Sequence, residues 1–414
     1  MEPKIRFKGF RGEWNNLTLS QIATMHARIG WQNLRKDEFL SKGDYYLITG
    51  TDFIDGAIDY HTCHYVEEDR YNQDKNIQLK EGSILITKDG TLGKVAYVDN
   101  LDKPATLNAG VFNVVCKGND IDSRFLFQYL KSPRLMDYVN STATGGTIKH
   151  LNQNILVNFP VCFPEIREQR FIGFYFLHLD SLIQSTTKKI ESLKQVKAAS
   201  LQSMFPQEGE NTPRVRFKGF DGEWEIIKFS DFAEIHRGLT YTPNNVMETG
   251  VRVLRSSNID EDTFVTSKGD LFVAPNCVNI DYAKEGDILI TAANGSPRLV
   301  GKHAIIRKTG SFPMVAGGFM YLVTSQESEF LNASMSSNWY YRFLKTGVAG
   351  GNGSIGNLSR NDLMEAEFLI PIQKEERNML ADYFTSLDSQ ISLQTQRLEK
   401  LKQIKSACLD NMFV

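Results

Sequence analysis

The segment PKIRFKGFRGEW at residues 3–14 recurs as PRVRFKGFDGEW at residues 213–224, with nine of twelve positions identical. The echo continues along the chain. Glu81-Gly82-Ser83-Ile84-Leu85-Ile86-Thr87 returns as Glu285-Gly286-Asp287-Ile288-Leu289-Ile290-Thr291, and Gly146-Thr147-Ile148 returns as Gly353-Ser354-Ile355. KKIESLKQVKAASLQSMF (188–205) returns as QRLEKLKQIKSACLDNMF (396–413), and the offset stays between 204 and 210. Solenoid units run about 20–50 residues, so a repeat this long is a whole domain copied in tandem. Between the shared blocks the copies diverge: Asn15–Lys80 has little in common with Glu225–Lys284. One scaffold therefore carries two different variable surfaces.

The 414 residues include 47 Lys+Arg and 49 Asp+Glu, a formal net charge of −2, with 41% hydrophobic and 23% charged residues. That is ordinary for a globular protein of two or three domains and excludes a mainly disordered or fibrous chain. No apolar run approaches the roughly 20 residues of a membrane helix, and Met1-Glu2-Pro3-Lys4 does not open a signal peptide. Five scattered cysteines read as reduced thiols, so the expected location is cytoplasmic. Near-neutral charge gives no footprint for coating nucleic acid, so any DNA binding needs cations sorted locally or partner subunits that supply part of the electrostatic grip.

Within each half, β-branched runs alternate with Gly- and Asn-rich turns. The pattern predicts strands at Tyr45–Thr49, Ile84–Thr87, Lys94–Val98 and Val111–Cys116, and at Val251–Arg255, Ile288–Thr291, His303–Arg307 and Phe319–Val323. Helices are expected at Ser123–Leu130, continuing past Pro133, and at Asn338–Lys345. Each half then ends in a long helix. Ile172, Phe176, Leu179, Ile183, Ile190, Leu193 and Leu201 fall at spacings of 4, 3, 4, 7, 3 and 8, and Leu380, Phe384, Leu387, Ile391, Leu398, Leu401 and Leu409 repeat that series. This is close to the a/d seam of a coiled coil. The fold class is an α/β (α+β) tandem duplication: two globular domains separated by two long antiparallel helices about a pseudo-two-fold. The alternative is that each helix packs only on its own domain. Ile172, Phe176, Leu179, Ile183, Leu193, Leu380, Phe384, Leu387, Ile391 and Leu401 are the expected subunit-interface positions. The expected boundaries are 1–163 and 214–371 for the domains, 164–206 and 372–414 for the helices, and 207–213 for a linker.

This organisation resembles the specificity subunit of type I restriction–modification enzymes. PKIRFKGFRGEW looks like that family's opening segment. Pro164-Glu165-Ile166-Arg167-Glu168-Gln169 with Leu179-Asp180 and Ile183 looks like the start of its central conserved region, and Ile190-Glu191, Leu193-Lys194, Lys197 and Met204-Phe205 like its close. The second copy departs slightly, with Glu376-Arg377 where Glu-Gln is usual. The resemblance implies a non-catalytic subunit whose two target-recognition domains read an asymmetric, gapped, double-stranded DNA site. It also implies two modification subunits that methylate adenine N6 and restriction (motor) subunits as partners. S-adenosylmethionine, ATP and Mg would sit on those partners, with no cofactor in this chain.

Base reading uses Arg, Lys, Asn, Gln, Ser and Thr on elements that enter a groove. The polar, glycine-bearing loops after the shared EGxILIT strand fit best: Lys88, Thr91 and Lys94 in one half, Asn294, Ser296, Arg298 and Lys302 in the other. A second loop pair offers Thr147 and Lys149, and Ser354. A third offers Arg28, and Arg237 with Tyr241. The alternative for the first pair is an ordinary hairpin turn with solvated lysines, and for the second a connection into the last strand; the third is the weaker candidate.

Other motifs weigh less. Gly351–Gly356 matches GxGxxG, but a helix precedes it where a dinucleotide site needs a strand. His61-Thr62-Cys63-His64 lacks a second cluster at metal-ligand spacing. A stand-alone nucleotide-binding enzyme and a coiled-coil adaptor with no DNA role are the competing classes.

Overall fold

A computed structural model describes residues 2–30, 33–142, 151–307, 312–349 and 356–414. It divides into two compact units: Met1–Thr186 with Arg397–Val414, and Thr187–Gln396.

The first unit is built on four strands in the spatial order Ala23–Ala27, Val111–Cys116, Ile84–Thr87 and Val95–Tyr97, each antiparallel to its neighbour. The second repeats it with Glu234–Arg237, Met320–Thr324, Ile288–Thr291 and His303–Ile305. The shared ILIT strand is buried throughout, its threonine included, because both its faces are covered. Ile84 and Ile86 pack with Phe125 and Leu126 of a helix, whereas Leu85 points the other way among Ile48, Ala105 and Leu107. The two-residue period of a strand sorts them.

A second sheet adds Tyr45–Ile48, antiparallel to His64–Val66 and parallel to Ala105–Leu107. Its counterpart is Val251–Leu254, antiparallel to Leu271–Val273 and parallel to Met314–Ala316. Asn15–Thr18 pairs with Pro160–Phe163 as Glu225–Lys228 pairs with Glu367–Ile370. The segments that share little sequence therefore share a topology.

The expected strands are present with no end displaced by more than two residues; Phe319–Val323 is shifted by one, to Met320–Thr324. One helix differs: Ser123–Lys131 stops at Ser132, and Pro133–Thr142 starts anew. Proline has no N–H and drives the preceding residue to extended backbone, here ψ 164° at Ser132. The helix Ser328–Met335 carries no distinctive periodicity and was not expected.

Ile166–Met204 forms one helix of 39 residues and Lys374–Asn411 another of 38. Within the first unit their ends run antiparallel, Tyr175 meeting Cys408 at 3.5 Å and Asp180 pairing with Lys405. Within the second, Ser200 meets Tyr383 at 2.9 Å and Lys197 pairs with Asp388 at 2.7 Å. Lys197 also holds Asp262, 3.1 Å away in the short hairpin Ile259–Phe264, so this cation is a tie between helix and sheet domain rather than a solvated face. Gly173 lets the first long helix lie against Ser123–Lys131: a Cβ there would sit 3.0 Å from Arg124 Cβ and 3.1 Å from the Phe125 nitrogen.

The seam positions need a correction. Ile172, Phe176 and Leu179 are buried in the core of the first unit, and Leu380, Phe384 and Leu387 in that of the second. Leu401 packs on the first core and Leu193 on the second, while Ile183 and Ile391 are half-buried. The buried six face their own sheet domain and the end of the other helix together, so they are closed to any partner subunit. A 3.5-residue period records burial without saying what does the burying.

The repeated blocks explain themselves in this setting. Phe413 packs against Phe125, Tyr129 and Phe176 at ring distances of 5.7, 5.4 and 5.7 Å. Phe205 does the same against Trp224 and Phe384, at 5.8 and 5.7 Å. In the opening motif, Arg6 donates twice to Glu168 at 2.7 Å and once to the Gly12 carbonyl, and Arg216 repeats this with Glu376 and Gly222. The Ile5 N–H reaches the Asn411 carbonyl at 3.0 Å, as Val215 reaches Ser203 at 2.9 Å. The motif is a clasp on the helices. The Glu376-Arg377 departure is also resolved: Gln169 bonds to the Asp120 and Pro164 carbonyls, while Arg377 bonds to the Pro371 carbonyl and forks onto Glu327 at 2.7 and 3.0 Å.

Candidate nucleic-acid interface

In each unit the parallel strand pair delivers loops to one end of the ILIT strand. In the first, the Lys88 N–H donates to the Gly110 carbonyl and the Asn108 N–H to the Ile48 carbonyl, both at 2.9 Å. This gathers the hairpin 88–94, the turn 108–110 and the segment 49–52. Thr49 is fixed by Asp52, whose carboxylate accepts from its N–H at 2.8 Å and its hydroxyl at 2.9 Å.

The second unit gathers the same three loops with other side chains. Strand register equates Thr49 with Arg255, Gly110 with Phe319, and the hairpin with 292–302. The Ala292 and Ala293 N–H groups both donate to the Phe319 carbonyl, and the Gly317 N–H to Leu254. Segment 238–241 joins them because Gly238 has no side chain; a Cβ there would fall 1.8 Å from the Gly317 carbonyl oxygen. These loops enclose a cavity of about 690 Å³ lined by Tyr241, Arg255, Ser256, Asn294 and Phe319 among others.

The expected contact residues fare unequally. Lys88 is half-buried with its ammonium 5.5 Å from the Phe112 ring centre, and Thr91 and Lys94 are exposed on the hairpin. Ser296 and Arg298 are exposed, Lys302 is half-buried at the loop base, and Tyr241 lines the cavity. Asn294 braces two loops: its amide donates to Ser256 Oγ at 3.0 Å and its carbonyl accepts from the Ser296 N–H at 2.9 Å. Arg237 is exposed at a strand end, beside a separate cavity of about 730 Å³ shared with His236, Lys284 and Arg360. Thr147, Lys149 and Ser354 lie outside the described residues.

Arg28 is a correction. Only 2% exposed, it donates to the Leu107 carbonyl at 2.8 Å and to Thr106 Oγ1 at 3.2 Å. Burial holds its pKa below the usual guanidinium value. It ties the first strand to the parallel strand and does not face a ligand. Arg28→Ala is expected to cost about 2–3 kcal/mol in denaturant unfolding, through orphaned buried acceptors, with any DNA preference unchanged. Weaker DNA binding at undiminished stability would restore the contact role.

Sequence reasoning missed Thr49–Thr51 with Asn108–Gly110, and Arg255–Ser257 with Gly317–Phe319. The local signal is present: Asn108-Ala109-Gly110 stands directly before Val111, and Gly317-Gly318 stands one residue before Met320. Among the described residues no three His, Cys, Asp or Glu side chains group to hold a metal, and no helix is long and apolar enough to cross a membrane.

The family model described as the type I restriction modification DNA specificity domain matches residues 11–195 and again 221–403. The chain is 22% identical to the type I restriction enzyme MjaVIII specificity subunit of Methanocaldococcus jannaschii, over 92% of this chain and 91% of that one. It is 21% identical to the EcoKI specificity subunit of Escherichia coli, over 94% and 87%. Its fold is similar to a crystal structure of the type I restriction-modification S subunit from M. genitalium, with a TM-score of 0.67 at 14% identity, covering 100% of this chain and 99% of that one.

Proposed function

This chain belongs to the type I restriction modification DNA specificity family, and we propose that its two units are unlike readers of one asymmetric, gapped site in double-stranded DNA. One observation carries the reading: the two units bring three corresponding loops to the same end of the same strand, but with different side chains. A common frame bearing different readers is what two unlike half-sites require.

Domains 1–163 and 214–371 take the recognition role, with Lys88, Thr91, Lys94, Thr147 and Lys149 on one side and Arg237, Tyr241, Ser296, Arg298, Lys302 and Ser354 on the other. Asn294 serves by positioning. The chain performs no chemistry itself. Two modification subunits, carrying S-adenosylmethionine, methylate adenine N6, and restriction subunits using ATP and Mg join them. With the seam residues closed, these partners dock on the outer faces of the helices.

The test is co-expression with the cognate modification subunit in a host without other adenine methylation, followed by mapping of methyladenine. An asymmetric gapped motif that vanishes when this chain is omitted is expected. Exchanging residues 225–370 for another recognition domain should then alter one half-site only. A stable complex that methylates nothing would defeat the reading.

A further inference from the structure

Arg255 and Phe319 are two side chains of the second unit's loop cluster that project from a fixed backbone without an internal side-chain partner among the described residues. Arg255 is exposed, and no ion pair engages it among the described residues. Its position is nonetheless fixed. The Arg255 N–H donates to Asn258 Oδ1 at 2.9 Å, and buried Asn258 is itself held by the Val265 carbonyl at 3.0 Å and Asp270 at 3.1 Å. Its stem lies across Gly317, whose missing Cβ would sit 3.7 Å from Arg255 Cγ. Phe319 is 67% exposed although its carbonyl is pinned by two N–H donors. Val246 and Met247 are exposed nearby, and Leu239, Tyr241 and Leu271 line the same cavity, so a lone guanidinium stands on an apolar rim. The first unit has Thr49 and Gly110 at the corresponding places.

A preorganised guanidinium beside apolar surface matches the commonest specific base contact, a fork onto guanine O6 and N7, with an aromatic against the neighbouring base. We propose that Arg255 reads a guanine in the half-site of the second unit and that Phe319 packs against the adjoining base pair. This rests on the DNA-reading role proposed above.

The test uses the full complex with its modification subunit, carrying Arg255→Ala or Phe319→Ala, and maps methyladenine genome-wide. The 225–370 exchange identifies which half-site belongs to the second unit. For Arg255→Ala, one G·C position in that half-site becomes degenerate, and discrimination there falls about tenfold to a hundredfold. For Phe319→Ala, the next position relaxes. The other half-site keeps its sequence in both, and thermal unfolding matches the parent because neither side chain is buried. A motif left intact while affinity falls equally on all sequences, with a salt slope smaller by about one, would make Arg255 a phosphate contact and overturn the proposal. An unchanged motif at unchanged affinity would also overturn it. Absence of any motif with the unaltered chain would overturn the DNA-reading role as well, which separates the two failures.

Discussion

Phe413→Ala is expected to destabilise the first unit by about 3–5 kcal/mol, a range set by emptying a fully packed aromatic site. Phe413 is 1% exposed and touches the Phe125 and Tyr129 rings of the sheet domain and the Phe176 ring of the other long helix. Amide exchange in Val111–Cys116 should accelerate while that in Met320–Thr324 keeps its rate. Phe205→Ala should show the reverse, because Phe205 plugs the second unit. Phe413→Ala acting first on Met320–Thr324 would refute the assignment of each helix end to the domain it closes.

The second large effect concerns the clasp. Glu168→Ala removes the forked partner of Arg6, leaving it the Gly12 carbonyl and the exposed Glu2, and Glu376→Ala leaves Arg216 the Gly222 carbonyl. Both carboxylates are essentially fully buried, and each arginine keeps a partial path to water. Breaking such a pair is expected to cost about 2–4 kcal/mol, below the full penalty for a wholly buried charge because the arginine can rehydrate. Replacing both partners, as in Arg6→Leu with Glu168→Leu, should cost less than the single change, since no charge is then orphaned. Urea unfolding of the single and double variants decides it. A double variant worse than Glu168→Ala would show that the pair contributes geometry its hydrogen bonds alone do not.

The sequence makes some of this legible and hides the rest for physical reasons. The buried ILIT strands, the duplicated ends and both long helices are visible because each is a continuous pattern of local burial. Where the helix seams look is not visible: positions such as Phe176 and Phe384 repeat at coiled-coil spacing, yet each is shared between a sheet domain and the other helix. Arg28 reads as a contact because an arginine in a polar loop is a surface pattern, and only the parallel strand pair turns it inward. The loops 49–52 and 108–110 are far apart in sequence and meet through that same non-local pairing, so no window along the chain would join them. Asn15–Lys80 and Glu225–Lys284 conceal one topology under different residues, because exposed loop positions vary freely over a fixed strand order.

The contact between Ile5 and Asn411 repeats the contact between Val215 and Ser203, yet only the second pair is joined by nearby covalent chain. The first junction is thus held by folded contacts alone. Each unit carries one such seam, closed through space in the first and along the chain in the second. Neither unit is intrinsically first. A gene opened within 207–213 and joined across the other seam would encode the same set of long-range contacts in the opposite order.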